Sequence, residues 1–322
     1  ARRQPGSSIK PFIYSAALDN GFTPASLISG APVVVGDSSL GSAWRPENYS
    51  KKFFGLTRMR EALKKSLNLV SIRLLRSVGV DETRQYLQRF GFNAADLPDN
   101  LSLALGNASV LPIEMARAYT VFANGGFLIE PYLVDQVVNS ADEVIYQAAP
   151  LNACTLCPSP VELSPALSNV ENSSDISSEE QTLDEQAIAA EIIPADASST
   201  DASSADDNVP SHAPWAISRE TAYLVTSMLQ EVIRSGTGRR ARSLGRADIG
   251  GKTGTTNEQQ DAWFSGFGPG VQTTVYVGFD KPAPLGRREV GGRAALPIWI
   301  DYMKVALKDK PESFPEIPAG IS

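Results

Sequence analysis

The chain reads as an α+β protein, and three observations carry that reading. Helix-forming, apolar-rich runs occupy residues 10–18, 57–92, 112–123 and 218–235. Residues 248–279 instead hold three short runs rich in β-branched and aromatic residues, separated by glycine-bearing turns, the pattern of consecutive antiparallel strands. Between these regions, residues 158–212 are dominated by Ser, Ala, Asp and Glu and hold no Lys, Arg, Phe, Trp or Tyr. Such a stretch buries too little apolar surface to repay ordering, so it is expected to be a mobile insertion.

Taken in order, Pro5-Gly6-Ser7 followed by residues 12–18 reads as a turn leading into a buried helix. Residues 21–55, rich in Gly, Pro and Ser, read as loops with short strands. Residues 57–92 read as helices, with Asp81 as a cap and Gly79 and Gly91 as stops. Pro112 opens a helix whose apolar side is Ile113, Met115, Ala116, Tyr119 and Phe122, and Gly125-Gly126 ends it. Residues 127–147 read as a β-hairpin turning near 139–142. After the acidic stretch, order resumes at Trp215. Ser218 caps a helix bearing Leu224, Val225, Met228, Leu229, Val232 and Ile233, which Gly236 ends. A last helix spans 294–308, with Trp299 and Met303 facing the core. The expected organisation is one domain in two parts, 1–149 and 213–322, interrupted by an insertion at 150–212.

Composition narrows the function classes. At 322 residues and 42% hydrophobic, the chain can form one large core or two ordinary ones. No run approaches the roughly 20 apolar residues of a membrane span, and no signal peptide opens the sequence. The net charge of −7 is concentrated: residues 158–212 hold twelve acidic side chains, so the remainder carries +5. That mild basicity suits an anionic partner, but no nucleic-acid motif is present. Arg239, Arg240, Arg242 and Arg246 read as a solvated loop rather than a nucleic-acid patch. Cys154 and Cys157 form a lone C-x-x-C, and zinc would need two further ligands where only His212 is on offer. A local disulfide is the favoured reading and two free thiols the alternative.

Three motifs carry the chemistry. Ser7-Ser8-Ile9-Lys10, Ser66-Leu67-Asn68 and Lys252-Thr253-Gly254-Thr255 spell S-x-x-K, S-x-N and K-T-G in that order. Ser7 and Lys10 lie one helical turn apart on one face, and a serine at a helix start sits near backbone N–H groups that favour developing negative charge. Lys10 acts as a base only if its pKa falls, which burial beside a second cation such as Lys252 brings about. The Ser66 hydroxyl is placed to relay a proton, and Asn68 offers both a donor and an acceptor to a substrate amide. Lys252 and the two threonine hydroxyls suit a carboxylate, while Gly254 lets backbone approach backbone. Each of the first two motifs alone reads equally as a helix cap or turn; their ordered conjunction with the third makes the signal. His212, the single histidine, lies in the acidic stretch, so a Ser-His-Asp arrangement is disfavoured.

The flanking segments extend the pattern. Arg3-Gln4-Pro5-Gly6 before the serine, Trp44-Arg45-Pro46-Glu47-Asn48-Tyr49, Leu103-Ala104-Leu105-Gly106-Asn107, Phe122-Ala123-Asn124-Gly125-Gly126 and Ser235-Gly236-Thr237-Gly238-Arg239 all resemble the transpeptidase domain of class A penicillin-binding proteins, especially their 1A branch. The resemblance covers nearly everything outside roughly 150–212. It implies a penicillin-binding, serine β-lactamase-like fold, an antiparallel sheet flanked by helices. It implies Ser7 as nucleophile, Lys10 as its base, Ser66 and Asn68 in proton relay and substrate binding, and Lys252, Thr253, Gly254 and Thr255 at the substrate carboxylate. The backbone N–H groups of Ser7 and Thr255 would form the oxyanion hole. It implies no cofactor and no metal. The implied partners are peptidoglycan stem peptides ending in D-Ala-D-Ala, and β-lactams. The resemblance further implies a longer parent protein with a membrane anchor, a glycosyltransferase domain and the first strands of the sheet upstream, at the periplasmic face of the inner membrane. Alternatives on the same fold are a D,D-carboxypeptidase or β-lactamase, in which water resolves the acyl-enzyme, and a β-lactam sensor that acylates once.

Overall fold

The computed structural model describes residues 1–36, 43–154, 157 and 212–321. Most of the expected insertion, residues 155–156 and 158–211, therefore lies outside the described residues.

Helix α1, Lys10–Asp19, is the axis of the larger core, with every residue from Lys10 to Leu18 buried. A helix apolar on all sides must be wrapped on all sides, and four others do so: α3 (Asn68–Val78), α4 (Val80–Gln88), α5 (Pro112–Ala123) and α6 (Arg219–Ser235). Phe12 is the hub of this core. The rings of Phe90, Phe92, Tyr119 and Phe122 surround it at centroid distances of 4.9, 5.2, 5.3 and 5.3 Å, within the range where aromatic pairs attract beyond simple burial.

Helix α6 joins this core to the sheet. Strands β5 (Gly250–Thr255), β6 (Asp261–Gly268) and β7 (Val271–Gly278) pair antiparallel in that order, with Lys252 opposite Ser265 and Trp263 opposite Tyr276. Helix α7 (Ala295–Ala306) covers the other face, where Trp299 meets Phe264 at 4.9 Å in a second core. The α+β reading and the antiparallel sheet flanked by helices are thus as expected. Among the described residues, β6 is the only strand of this sheet with a neighbour on both sides. Two small ladders complete the structure: β1 (Leu27–Gly30) with β2 (Phe54–Arg58), and the hairpin β3 (Gln136–Val138) with β4 (Val144–Gln147). A short helix α2, Met59–Lys65, precedes α3. Cys154 and Cys157 form the local disulfide.

Three local expectations are corrected. Asp81 does not cap α4: the cap position is Gly79, and Asp81 lies in the first turn, where a carboxylate still favours the helix dipole. Ile113 is 50% exposed. The buried stripe of α5 is Met115, Ala118, Tyr119 and Phe122, spaced i, i+3, i+4, i+7, and Ile113 falls off that stripe. Ala116 and Leu224, expected on apolar faces, are only half-buried.

Phe12→Ala should lower unfolding stability by about 3–5 kcal/mol, since it empties a closed aromatic hub. Leu133→Ala, at a side chain 99% exposed, should change stability by no more than about 0.5 kcal/mol. Urea denaturation of the two variants checks the contrast.

Candidate active site

Ser7 stands in a 3-10 turn, Gly6–Ile9, immediately before α1 rather than in the helix itself. The turn is wedged against β5. Gly6 has φ +53°, and a Cβ there would sit 2.5 Å from the carbonyl oxygen of Thr255. A Cβ on Gly254 would sit 2.3 Å from the carbonyl oxygen of Pro5. Both positions therefore require glycine, and the close approach expected at Gly254 is to the nucleophile turn itself. From the other side, the Tyr119 hydroxyl donates to the Ser8 carbonyl at 2.7 Å, and the Trp263 indole donates to the Gln4 carbonyl at 2.8 Å.

Ser66 terminates α2 with φ 57° and ψ 43°. The left-handed conformation costs a non-glycine residue about 1–2 kcal/mol, and it turns the Ser66 hydroxyl toward two lysines. The next helix starts at Asn68. Its first N–H groups, of Asn68 and Leu69, donate to Oδ1 of Asn48 at 2.8 and 3.3 Å. Asn48 is thus a cap supplied from a loop 20 residues away, and the Asn68 side chain is held by donation to the Glu47 carbonyl at 2.7 Å.

Lys10 and Lys252 are both fully buried. Lys10 Nζ donates to Asn68 Oδ1 at 2.7 Å and to the Ser66 carbonyl at 2.9 Å, with Ser66 Oγ at 3.4 Å. Lys252 Nζ donates to Ser66 Oγ at 2.9 Å and to the Thr253 carbonyl at 2.8 Å. All of these acceptors are neutral. Burial first, and the neighbouring Lys252 second, pull the Lys10 pKa well below the ordinary lysine value; burial brings Lys252 down to about 7. A neutral Lys10 has two N–H bonds, which its two shortest contacts consume, leaving its lone pair free to accept a proton. Because Ser66 Oγ accepts from Lys252, its own hydrogen is free to be passed on.

Above the lysines opens a cleft of about 750 Å³, into which Ser7, Ser66, Asn68, Thr253 and Thr255 face. The Ser7 hydroxyl makes no hydrogen bond to another described residue, so it and Lys10 are not directly bonded here. The Thr253 hydroxyl pairs with that of Thr237 at 2.7 Å, and Thr255 Oγ1 accepts from the Gly291 N–H at 3.0 Å. Thr256 N–H donates to the Asp261 carbonyl on β6, so strand alternation directs the Thr255 N–H to the opposite edge of β5, beside the nucleophile turn. The three motifs therefore converge, with the lysines beneath the cleft and the hydroxyls lining it. Lys252 Nζ lies beneath the cleft, held by Ser66 Oγ and the Thr253 carbonyl. Sequence reading missed Asn48 and Thr237 as site residues. His212 lies elsewhere, with Nδ1 2.9 Å from the Ala213 carbonyl and its ring against Phe127. Among the described residues, no cluster of His, Cys, Asp or Glu could hold a metal ion.

A serine lining a cleft above two buried, depressed lysines that share a second serine is the arrangement of a candidate serine acyltransferase site. The chain belongs to the penicillin-binding proteins: the family described as "Penicillin binding protein transpeptidase domain" matches residues 1–304. It is 48% identical over 321 residues to Penicillin-binding protein 1A of Pseudomonas aeruginosa, covering 100% of this chain and 38% of that protein. It is 38% identical over 322 residues to Penicillin-binding protein 1A of Neisseria gonorrhoeae, covering 100% and 33%. The crystal structure of Penicillin-Binding Protein 1A from Haemophilus influenzae matches with a TM-score of 0.80 at 36% identity, over 99% of this chain and 44% of that one. PonA1 from Mycobacterium tuberculosis in complex with penicillin V shares the fold, with a TM-score of 0.70 at 22% identity over 100% of this chain and 73% of that one. The chain thus spans 33–38% of the length of the named sequence relatives, and the 1A branch suggested by its motifs is the one those relatives carry in their names.

The depressed lysines predict a stability slope. Between about pH 7 and 10.5 the unfolded chain holds the Lys252 proton and the folded chain does not, so stability rises with pH across that window. Lys252→Met should flatten the rise. Urea midpoints of the two proteins at about pH 7.5 and 9.5 check this; equal slopes would contradict it.

Proposed function

We propose that the chain is the D,D-transpeptidase part of a peptidoglycan synthase, working through an acyl-enzyme on Ser7. One observation carries the reading: the chain Lys10–Ser66–Lys252, buried beneath the cleft that Ser7 lines. Neutral Lys10 takes the Ser7 proton as Oγ attacks the carbonyl of the penultimate D-Ala. The catalytic contact between Ser7 and Lys10 forms with substrate in place, as hydrogen bonds that are long in a free site commonly do. The N–H groups of Ser7 and Thr255 receive the developing oxyanion. As the peptide bond breaks, Ser66 hands a proton to the departing D-Ala nitrogen and is refilled from Lys10. An amine from a second stem peptide then attacks the ester. It loses a proton along the same route, and Ser7 Oγ regains one, leaving a new peptide cross-link. Asn68 holds the peptide amide of the donor, and Thr253 and Thr255 hold its terminal carboxylate. A β-lactam enters the same cycle and stalls as a stable ester on Ser7.

The coverage of its relatives supports placing this chain within a longer protein. We further infer a membrane anchor and a glycosyltransferase domain in that protein, and activity at the periplasmic face of the inner membrane. Among the described residues, no helix is long and apolar enough to cross a membrane.

Incubation with benzylpenicillin followed by intact-mass measurement tests the acyl-enzyme. The wild type should gain one penicillin and Ser7→Ala none. An adduct that survives Ser7→Ala, or none on either protein, would refute Ser7 as nucleophile. With stem peptide as donor, an added amine acceptor should divert product from the hydrolysed peptide to the cross-linked one; insensitivity to the amine would point to a carboxypeptidase.

A further inference from the structure

Recognition of a carboxylate needs donors and a positive charge that stays positive. The threonine hydroxyls supply donors only. Lys252 is fully buried, and both of its hydrogen bonds run to protein oxygens, Ser66 Oγ and the Thr253 carbonyl. Two of the three donors its ammonium carries are thus held within the protein, and its charge lies beneath the cleft rather than on its rim.

A solvent-facing charge stands on the rim of the cleft, two residues beyond Thr237. Thr237, whose hydroxyl pairs with that of Thr253, donates its N–H to the Lys64 carbonyl at 3.3 Å. That bond ties the turn to α2 and hence to Ser66. Arg239 follows on this fixed turn, is exposed, faces the cleft, and has no acidic partner among the described residues. Two other cations nearby already have partners. Arg240 donates to the Gly292 carbonyl at 3.4 Å. Lys65, which also faces the cleft, shares Glu61 at 3.4 Å. The acids on the cleft lie apart: Glu47 on the Asn68 side and Glu258 in the turn after β5.

We infer that Arg239 is a specificity-determining residue, supplying the permanent positive charge that pairs with the carboxylate of the acyl donor while Thr237, Thr253 and Thr255 donate hydrogen bonds to it. The inference rests on the transpeptidase reading above. A guanidinium suits the task because it stays charged at any working pH and offers a planar fork to a carboxylate. On an exposed rim the pairing should alter affinity about three- to tenfold, and added salt should weaken it.

The test is stopped-flow acylation by benzylpenicillin and by its methyl ester, which lacks the carboxylate charge, with Ser7 modification confirmed by mass. For Arg239→Gln, the dissociation constant of the pre-acylation complex with benzylpenicillin should rise about three- to tenfold at an unchanged limiting rate. The ester should react equally with both proteins, and Arg239→Lys should recover part of the loss. An unchanged dissociation constant, or an equal loss with the ester, would overturn the role of Arg239. Absence of any Ser7 adduct on the wild type would instead overturn the reading of the site, and this inference with it.

Discussion

Two lysine side chains are buried around one serine hydroxyl, with no carboxylate among the described residues to neutralise them. Lys10 and Lys252 reach only neutral oxygens, those of Ser66, Asn68 and Thr253. Burying an unpaired ammonium is costly, so burial pulls both lysines below the ordinary value, and the neighbouring Lys252 pulls Lys10 down further. The fold therefore lowers the proton affinity of a side chain that in water stays charged. The single histidine contacts Ala213 and Phe127 instead. The proposed acyltransferase chemistry depends on that constraint.

Much of the structure serves to hold the constraint in place. Helix α1 is buried along almost its entire length, which keeps Lys10 dry. The nucleophile turn is pressed onto β5 at two glycines, so Ser7 and Thr255 are positioned by backbone rather than by flexible side chains. Tyr119 secures the turn from the core side. Ser66 accepts a left-handed backbone to put its hydroxyl between the lysines, and Asn48 fixes the start of the helix that follows. Strain at Ser66 and desolvation at the lysines are stored where chemistry occurs, and the aromatic hub around Phe12 offsets them by packing.

What the sequence made legible follows from what is local. The S-x-x-K and K-T-G signals are short, and their geometry is set within one turn or one strand, so their ordered conjunction with S-x-N marked Ser7, Lys10, Thr253 and Thr255 as candidates, and the structure brings them together. Helices with strong caps and stops, such as the one between Ser218 and Gly236, were legible for the same reason. Asn48 and Thr237 were not. Each acts on a partner 16 to 20 residues away, joined only by the fold, and no local pattern records that. The burial of Lys252 was likewise hidden: a lysine on a strand looks solvated until β6 and Ser66 close over it. Ile113 misled because an apolar residue in a first turn satisfies composition without satisfying phase.

The most direct measurement is an NMR titration of the lysine side chains of protein carrying ¹³C,¹⁵N-labelled lysine, with Lys10 assigned through Lys10→Met. The account predicts that Lys10 titrates well below an ordinary lysine, and that Lys252→Met moves its midpoint upward by removing the competing cation. A Lys10 that titrates near 10.5, indifferent to Lys252, would mean that the fold does not make a base of it.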